Sequence, residues 1–232
     1  MSISQNLVRV QERMAAAARR AGRNHDEITL IAVSKTFPPE RIREAHVSGI
    51  RVFGENRVQE FAAKADAVRA LSGVEWHLIG HLQTNKAVKA VELFDAVDSV
   101  DSARLPEKLN AAAEKLGKTL PVLLEINIGG EEAKSGLAPS ASEFENILRG
   151  APAWSHLRIC GLMTVPPYTE DPEGARPYFR ELRKIRDQIV ARTLPHVSMG
   201  VLSMGMSHDF EVAIEEGSTC IRVGTAIFGD RP

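Results

Sequence analysis

Cysteine is scarce in this chain: Cys160 and Cys220 are the only two among 232 residues, and each lies in an apolar segment. Isolated thiols of this kind read as small buried core residues of a reduced, cytoplasmic protein, and they leave nothing from which to build a disulfide framework. No Cys/His cluster has zinc-ligand spacing, so no metal is expected. An excess of one charge is also lacking. With 29 Lys+Arg against 30 Asp+Glu, the chain has no electrostatic reason to engage nucleic acid or a membrane surface. No apolar run approaches the length of a membrane span, and the N-terminus has no apolar signal core. A glycine-rich turn after the first apolar run is missing too. Lys35-Thr36-Phe37-Pro38 stands there, where an open doubly wound sheet serving a nucleotide would place glycines.

What the chain has instead is alternation. An amphipathic opening stretch, about Ser4 to Ala21, puts Leu7, Val10, Met14, Ala17 and Ala21 on one stripe before Gly22 ends it. Strand-like runs then follow at Ile28–Ser34, Arg51–Gly54, Glu75–Gly80, Phe94–Val100, Leu120–Asn127, Leu157–Thr164, Val197–Ser203 and Thr219–Val223. Helical periodicity fills the gaps, as in Val58, Phe61, Ala62, Ala65 and Val68, or Phe179, Leu182, Ile185 and Ile189. Ser140 and Glu143 fit a capping box at the start of the fifth intervening helix. Strict β-α alternation implies parallel strands, and eight of them imply an α/β fold closed as a (β/α)₈ TIM-type barrel. We expect one barrel domain over 1–232, with residues about 1–22 as an added N-terminal helix docked within the chain.

Barrel sites lie at the C-terminal ends of the strands. Those ends supply Lys35, Glu55-Asn56, the "GHLQTNK" stretch with His81 and Lys86, Asn127 with Lys134-Ser135-Gly136 beyond it, Met163-Thr164, "SMGMS" from Ser203 to Ser207, and "RVGT" from Arg222 to Thr225. The loops after strands seven and eight are where many barrels hold a phosphate. Ser207 is expected to cap the helix of "HDFEVAI", where free N–H groups favour an anion. Gly224-Thr225 opens a second helix-start-like nest. The bland alternative is that Ser207 only caps and Gly224 only turns. Lys35, across the rim from that nest, is either a solvated strand-end charge or an amine whose partial burial favours Schiff-base chemistry with a phosphorylated carbonyl compound. Arg222, on the last strand, needs a buried partner. That partner is either the ring nitrogen of a pyridoxal phosphate or a rim carboxylate such as Glu55.

Taken together, "AVSKTFP", "FGENRVQE", "WHLIGHLQTNK", "KSGL", "GLMTV", "LSMGMSHDFEVAI" and "IRVGTAIFG" resemble the YggS/PROSC family of pyridoxal 5′-phosphate (PLP) homeostasis proteins over essentially the whole chain. That family is similar in fold to the fold-type III, alanine racemase-like barrel domain. The resemblance implies that Lys35 carries the cofactor as a covalent aldimine. It implies that Ser207, Gly224 and Thr225 hold the phosphate, that Arg222 faces the pyridine nitrogen, and that Asn56 and Met206 line the site, with Ser203 beside them. The catalytic relatives carry a second, β-rich domain that supplies an acid/base residue, and none is expected here after the eighth strand. The resemblance therefore implies a PLP carrier in vitamin B6 homeostasis without turnover, handing PLP to acceptor apoenzymes; a monomer is expected over a dimer. Lys86 and Lys134 are candidate triggers of release. A fold-type III amino-acid racemase is the competing reading, and a cofactor-free Schiff-base aldolase is a third.

Overall fold

The computed structural model describes residues 2–131 and 135–230. Eight strands form in the expected order: β1 Thr29–Val33, β2 Val52–Glu55, β3 Glu75–Leu78, β4 Ala96–Val100, β5 Leu120–Glu125, β6 Leu157–Met163, β7 Val197–Met206 and β8 Cys220–Val223. They pair in parallel, each with the next, and β8 returns to β1 to close the barrel. Closure leaves no exposed strand edge, which removes the usual route to edge-to-edge association. The helices are α1 Ile3–Arg20, α2 Pro39–Val47, α3 Val58–Val68, α4 Ala87–Leu93, α5 Arg104–Lys115, α6 Ser142–Gly150, α7 Arg176–Val190, α8 Phe210–Glu215 and α9 Thr225–Phe228.

Outward-facing strand residues meet the inner faces of the helices. Phe53 of β2 stacks on Trp76 of β3, which packs on Phe61 of α3 and through it on Phe94, with ring centroids 4.6–5.1 Å apart. Inside the barrel, glycine makes room at one layer. A Cβ on Gly54 would come within 2.7 Å of Ile31 and 2.9 Å of Ile79, so these two side chains already fill the space that β2 leaves. Helix α1 docks on the chain itself. Its buried Leu7, Val10 and Met14 pack toward α8 and α9, Asn6 Nδ2 donates to the Ile227 carbonyl at 3.0 Å, and Arg13 reaches Glu211 at 2.8 Å. The N-terminal helix thus braces the two short helices that follow β7 and β8.

Three local expectations are corrected. The Ser140–Glu143 capping box does not form: α6 starts at Ser142 with Ala141 as an uncapped boundary, and Glu143 instead accepts from the Ala103 N–H at 2.7 Å. Strand β7 runs on to Met206, because pairing with β8 continues from Ser203↔Cys220 to Met206↔Arg222 across a bulge. Cys160 is half-buried where Cys220 is buried; it faces the open lower end of the barrel.

Candidate functional site

Arg222 lies in β8, pointing into the barrel with 4% of its surface exposed. Its guanidinium donates to Ser203 Oγ at 2.6 Å and to the Thr164 carbonyl at 2.7 Å. Both partners are neutral, and no described carboxylate makes an ion pair with it. Burial works against its charge, and Cys220, Asp98, Glu125 and Asp209 work from a distance to keep it. A guanidinium stays protonated all the same. The proposed pairing with Glu55 does not occur: that carboxylate is spoken for by Lys64.

Lys64 explains how Lys35 is placed. Reaching in from α3, Lys64 Nζ lies 2.8 Å from Glu55 Oε1 and donates to the carbonyls of Ser34 at 2.9 Å and Phe37 at 3.2 Å. Ser34 Oγ donates to the same Glu55 oxygen at 2.5 Å. One ammonium therefore ties the end of β2 to both sides of the Lys35-Thr36 turn. Thr36 needs that restraint, since its φ of +67° puts a β-branched residue in the left-handed region, at a cost on the order of 1–3 kcal/mol. Lys35 itself is half-buried at the mouth. It is a neighbour of the β8 loop and does not lie across the rim from it, because Ala32 pairs with Val223.

Ser207 plays a different part from the one expected. Helix α8 begins at Phe210 with Asp209 at its boundary, and the Asp209 carboxylate turns back to accept from the Met206 N–H at 2.6 Å. Ser207 Oγ instead accepts from the N–H groups of Gly224 at 3.2 Å and Ala226 at 3.3 Å. Two backbone donors thus converge on one oxygen at the start of α9, with Thr225 exposed between them. Gly205 makes the turn possible: its φ is +95°, and a Cβ there would meet Ala213 at 2.6 Å. Met206 stays 36% exposed beside this nest.

The opposite side of the mouth is polar. Gly80 approaches so closely that a Cβ on it would stand 2.4 Å from the Asn56 carbonyl, which seats half-buried Asn56 against the end of β3. Asn56, His81 and Lys86 border a cleft of about 410 Å³. His81 Nδ1 and Asp101 Oδ2 are 2.5 Å apart. Glu125, at the end of β5, is buried; burial and Asp101 push its carboxyl up to about 7, with Arg222 and His81 pulling it back. His208 contacts the Thr169 carbonyl and the ring of Tyr168. Lys134 lies outside the described residues. Sequence reasoning missed Lys64, Asp98, Glu125 and His77, and no spacing in the chain marks any of them. Below the site, at the N-terminal end of the barrel, His77 clamps the buried Asp98 at 3.1 Å. Burial opposes the imidazolium there, but Asp98 and Glu75 outweigh it and push His77 up to about 10.

Residues 5–232 match the family model described as alanine racemase, N-terminal domain. The chain is 45% identical to the pyridoxal phosphate homeostasis protein of Aquifex aeolicus, covering all of this chain and 99% of that one. It superposes on the structure of PipY from Synechococcus elongatus with PLP bound at a TM-score of 0.83 and 35% identity, over 98% of this chain and 100% of the other. An alanine racemase of Clostridium difficile shares the fold, with a TM-score of 0.76 at 13% identity; the match spans this whole chain but 57% of that enzyme.

Proposed function

Because the chain belongs to the pyridoxal phosphate homeostasis protein family, we propose that it binds PLP at the C-terminal mouth of the barrel and serves intracellular PLP homeostasis. Bound there, the cofactor offers an aldehyde carbon that an amine can hold reversibly. In this reading Lys35 Nζ is that amine, so attachment is a covalent Schiff-base linkage. Ser207, Gly224 and Thr225 take the phosphate, Arg222 faces the ring nitrogen, and Asn56 and Met206 line the ring's flanks.

The observation that carries the reading is the state of Arg222: a buried cation bonded to a hydroxyl and a carbonyl, with N–H donors beyond those two, one strand from Lys35. The donor set fits. A guanidinium can only donate, so it suits an unprotonated ring nitrogen, and converging N–H groups suit a phosphate oxygen. The same guanidinium argues against turnover, since an unprotonated ring is a weak electron sink. We therefore read the protein as a carrier: one barrel domain with α1 added to it, monomeric and cytoplasmic, delivering PLP to acceptor apoenzymes. Among the described residues, no helix is long and apolar enough to cross a membrane.

The test is the visible spectrum of the purified full-length protein before and after borohydride, with the reduced adduct located by mass. A yellow protein bleached by reduction, with the added mass on Lys35, is the expected result; a colourless protein with no adduct after incubation with PLP sinks the proposal. The phosphate contact has its own prediction. Ser207→Ala removes a hydroxyl with a net hydrogen-bond value of about 1–1.5 kcal/mol, so PLP affinity falls roughly tenfold in an absorbance titration while the adduct stays on Lys35.

A further inference from the structure

The cofactor contacts leave one buried carboxyl without a role. Glu125 ends β5, which stands diametrically opposite β1 in the closed ring of eight strands. It shares the inward face of its strand with Leu123, two residues below. The residue is 8% exposed, and its Oε2 has no hydrogen-bond partner. A buried carboxylate oxygen without a donor is costly to keep and calls for a ligand that donates.

Its surroundings say what kind of donor. Asp101, in the loop after β4, acts on Glu125 from one side, and His81, in the loop after β3, is bonded to Asp101. Arg222 of β8 also acts on it, with two of its donors already used. β6 brings the uncharged Met163 and Thr164. Beside His81 and Asp101 opens a cleft of about 700 Å³, walled by Gln83, Asn85, Ser102 and Ser135. The cleft therefore reaches Asp101, and Glu125 ends the neighbouring strand β5 on the same side of the mouth, across from Lys35.

We propose that Glu125 and Asp101 form an amine subsite that receives the ammonium of a lysine side chain from a partner protein, with Glu125 accepting one of its protons. The inference rests on the reading of the mouth as a PLP site. A lysine side chain fits better than a free amino acid, because the carboxylate of an α-amino acid would face Asp101. In the transfer an N–H bond of the ammonium breaks and an O–H bond forms on the Glu125 carboxylate. An ammonium and a carboxylate become a neutral amine and a carboxylic acid, with no redox change. Neutral amine is the form able to take the place of Lys35. Raising a carboxyl from 4.5 to about 7 increases the neutral amine it can generate by roughly 300-fold.

The experiment uses full-length protein and two amine probes, Nα-acetyl-lysine amide and L-alanine. In the first arm, release of PLP from the loaded protein is followed by absorbance between pH 6 and 9. Glu125→Gln should slow release by the lysine amide on the order of 100-fold and flatten its pH dependence around neutrality, while the loaded spectrum reports that the near-isosteric variant is folded. Asp101→Asn should weaken the lysine amide more than L-alanine. In the second arm, carbon NMR of the Glu125 carboxyl in cofactor-free protein should show titration near neutrality that moves on adding the lysine amide. Wild-type release by Glu125→Gln, a Glu125 resonance indifferent to the amide, or L-alanine acting as fast as the amide overturns the subsite. A protein that never takes up PLP fails the cofactor reading instead, and leaves the NMR arm to decide the amine subsite.

Discussion

Lys35→Ala will give a folded protein that stays colourless with PLP and carries no adduct after borohydride. Absorbance and peptide mass both check this, and the expected change in the adduct is complete loss. Retention of PLP should fall by a hundredfold or more, on the order of 2.7 kcal/mol. The prediction singles out one lysine by its place on the rim. Lys64 is nearest in the fold, but its ammonium is bonded to Glu55 and to two carbonyls, so its lone pair is unavailable and its stem is fixed. Lys118 points to the Phe94 carbonyl at the far end of the barrel. Lys86 lines the cleft beside Asn56, on the side away from the Ser207 and Gly224 loops. Among the described lysines, only Lys35 stands at the end of β1, one strand from Arg222 and beside the loop whose N–H groups converge on Ser207. Stability should change little, because a half-buried strand-end lysine contributes little packing. An adduct that survives on another lysine of the Lys35→Ala protein would overturn the assignment.

The barrel was legible because its signal is repetitive: eight apolar runs, each followed by helical spacing, leave few topologies. The rim residues were legible for the same reason, since strand ends can be counted. What could not be read was anything set by which way a side chain turns at those ends. Ser207 precedes a helix and looks like its cap, yet β7 runs far enough that its hydroxyl serves the N–H groups of Gly224 and Ala226 instead. Glu55 and Arg222 both end strands and look like a pair. Lys64, from the middle of α3 and outside its apolar stripe, takes the carboxylate first. Glu125 looks like any acid after an apolar run. Its burial comes from the barrel's closure and from the segment around Leu137, whose N–H bonds to the Glu125 carbonyl at 2.8 Å. Polar partners fixed by long-range packing leave no local period in the chain.

Lys64→Met is expected to destabilise the protein by about 3 kcal/mol at pH 7, and by much less near pH 5. Methionine keeps the length and apolar stem of the lysine, so packing is largely preserved and the effect isolates the charge. Glu55 is wholly buried, with one oxygen already lacking a partner. Even with Lys64 present, burial outweighs the ammonium and holds this carboxyl above its ordinary 4.5. Without Lys64, Glu55 escapes its unpaired charge by taking a proton. The unfolded chain ionises this group near 4.5, so keeping it protonated at pH 7 costs about 1.36 kcal/mol for each of the intervening pH units, roughly 3.4 kcal/mol. That agrees with the 3–5 kcal/mol typical of breaking a buried pair. The sign follows from proton counting: the folded variant binds a proton that the unfolded chain has lost, so its stability falls as pH rises above 4.5. Urea unfolding of wild type and variant at pH 5, 6 and 7 measures this, and a destabilisation that does not change with pH would show that Lys64 acts through packing alone. Adding Glu55→Gln should remove the pH dependence of Lys64→Met and restore much of the lost stability, because the carboxyl that needed the proton is gone. The effect should also reach the cofactor. With the Ser34 and Phe37 carbonyls released from Lys64, the strained Thr36 turn can relax and carry Lys35 away from β8. Lys64→Met should therefore form its Lys35 adduct more slowly than wild type at pH 5, where folding is least impaired.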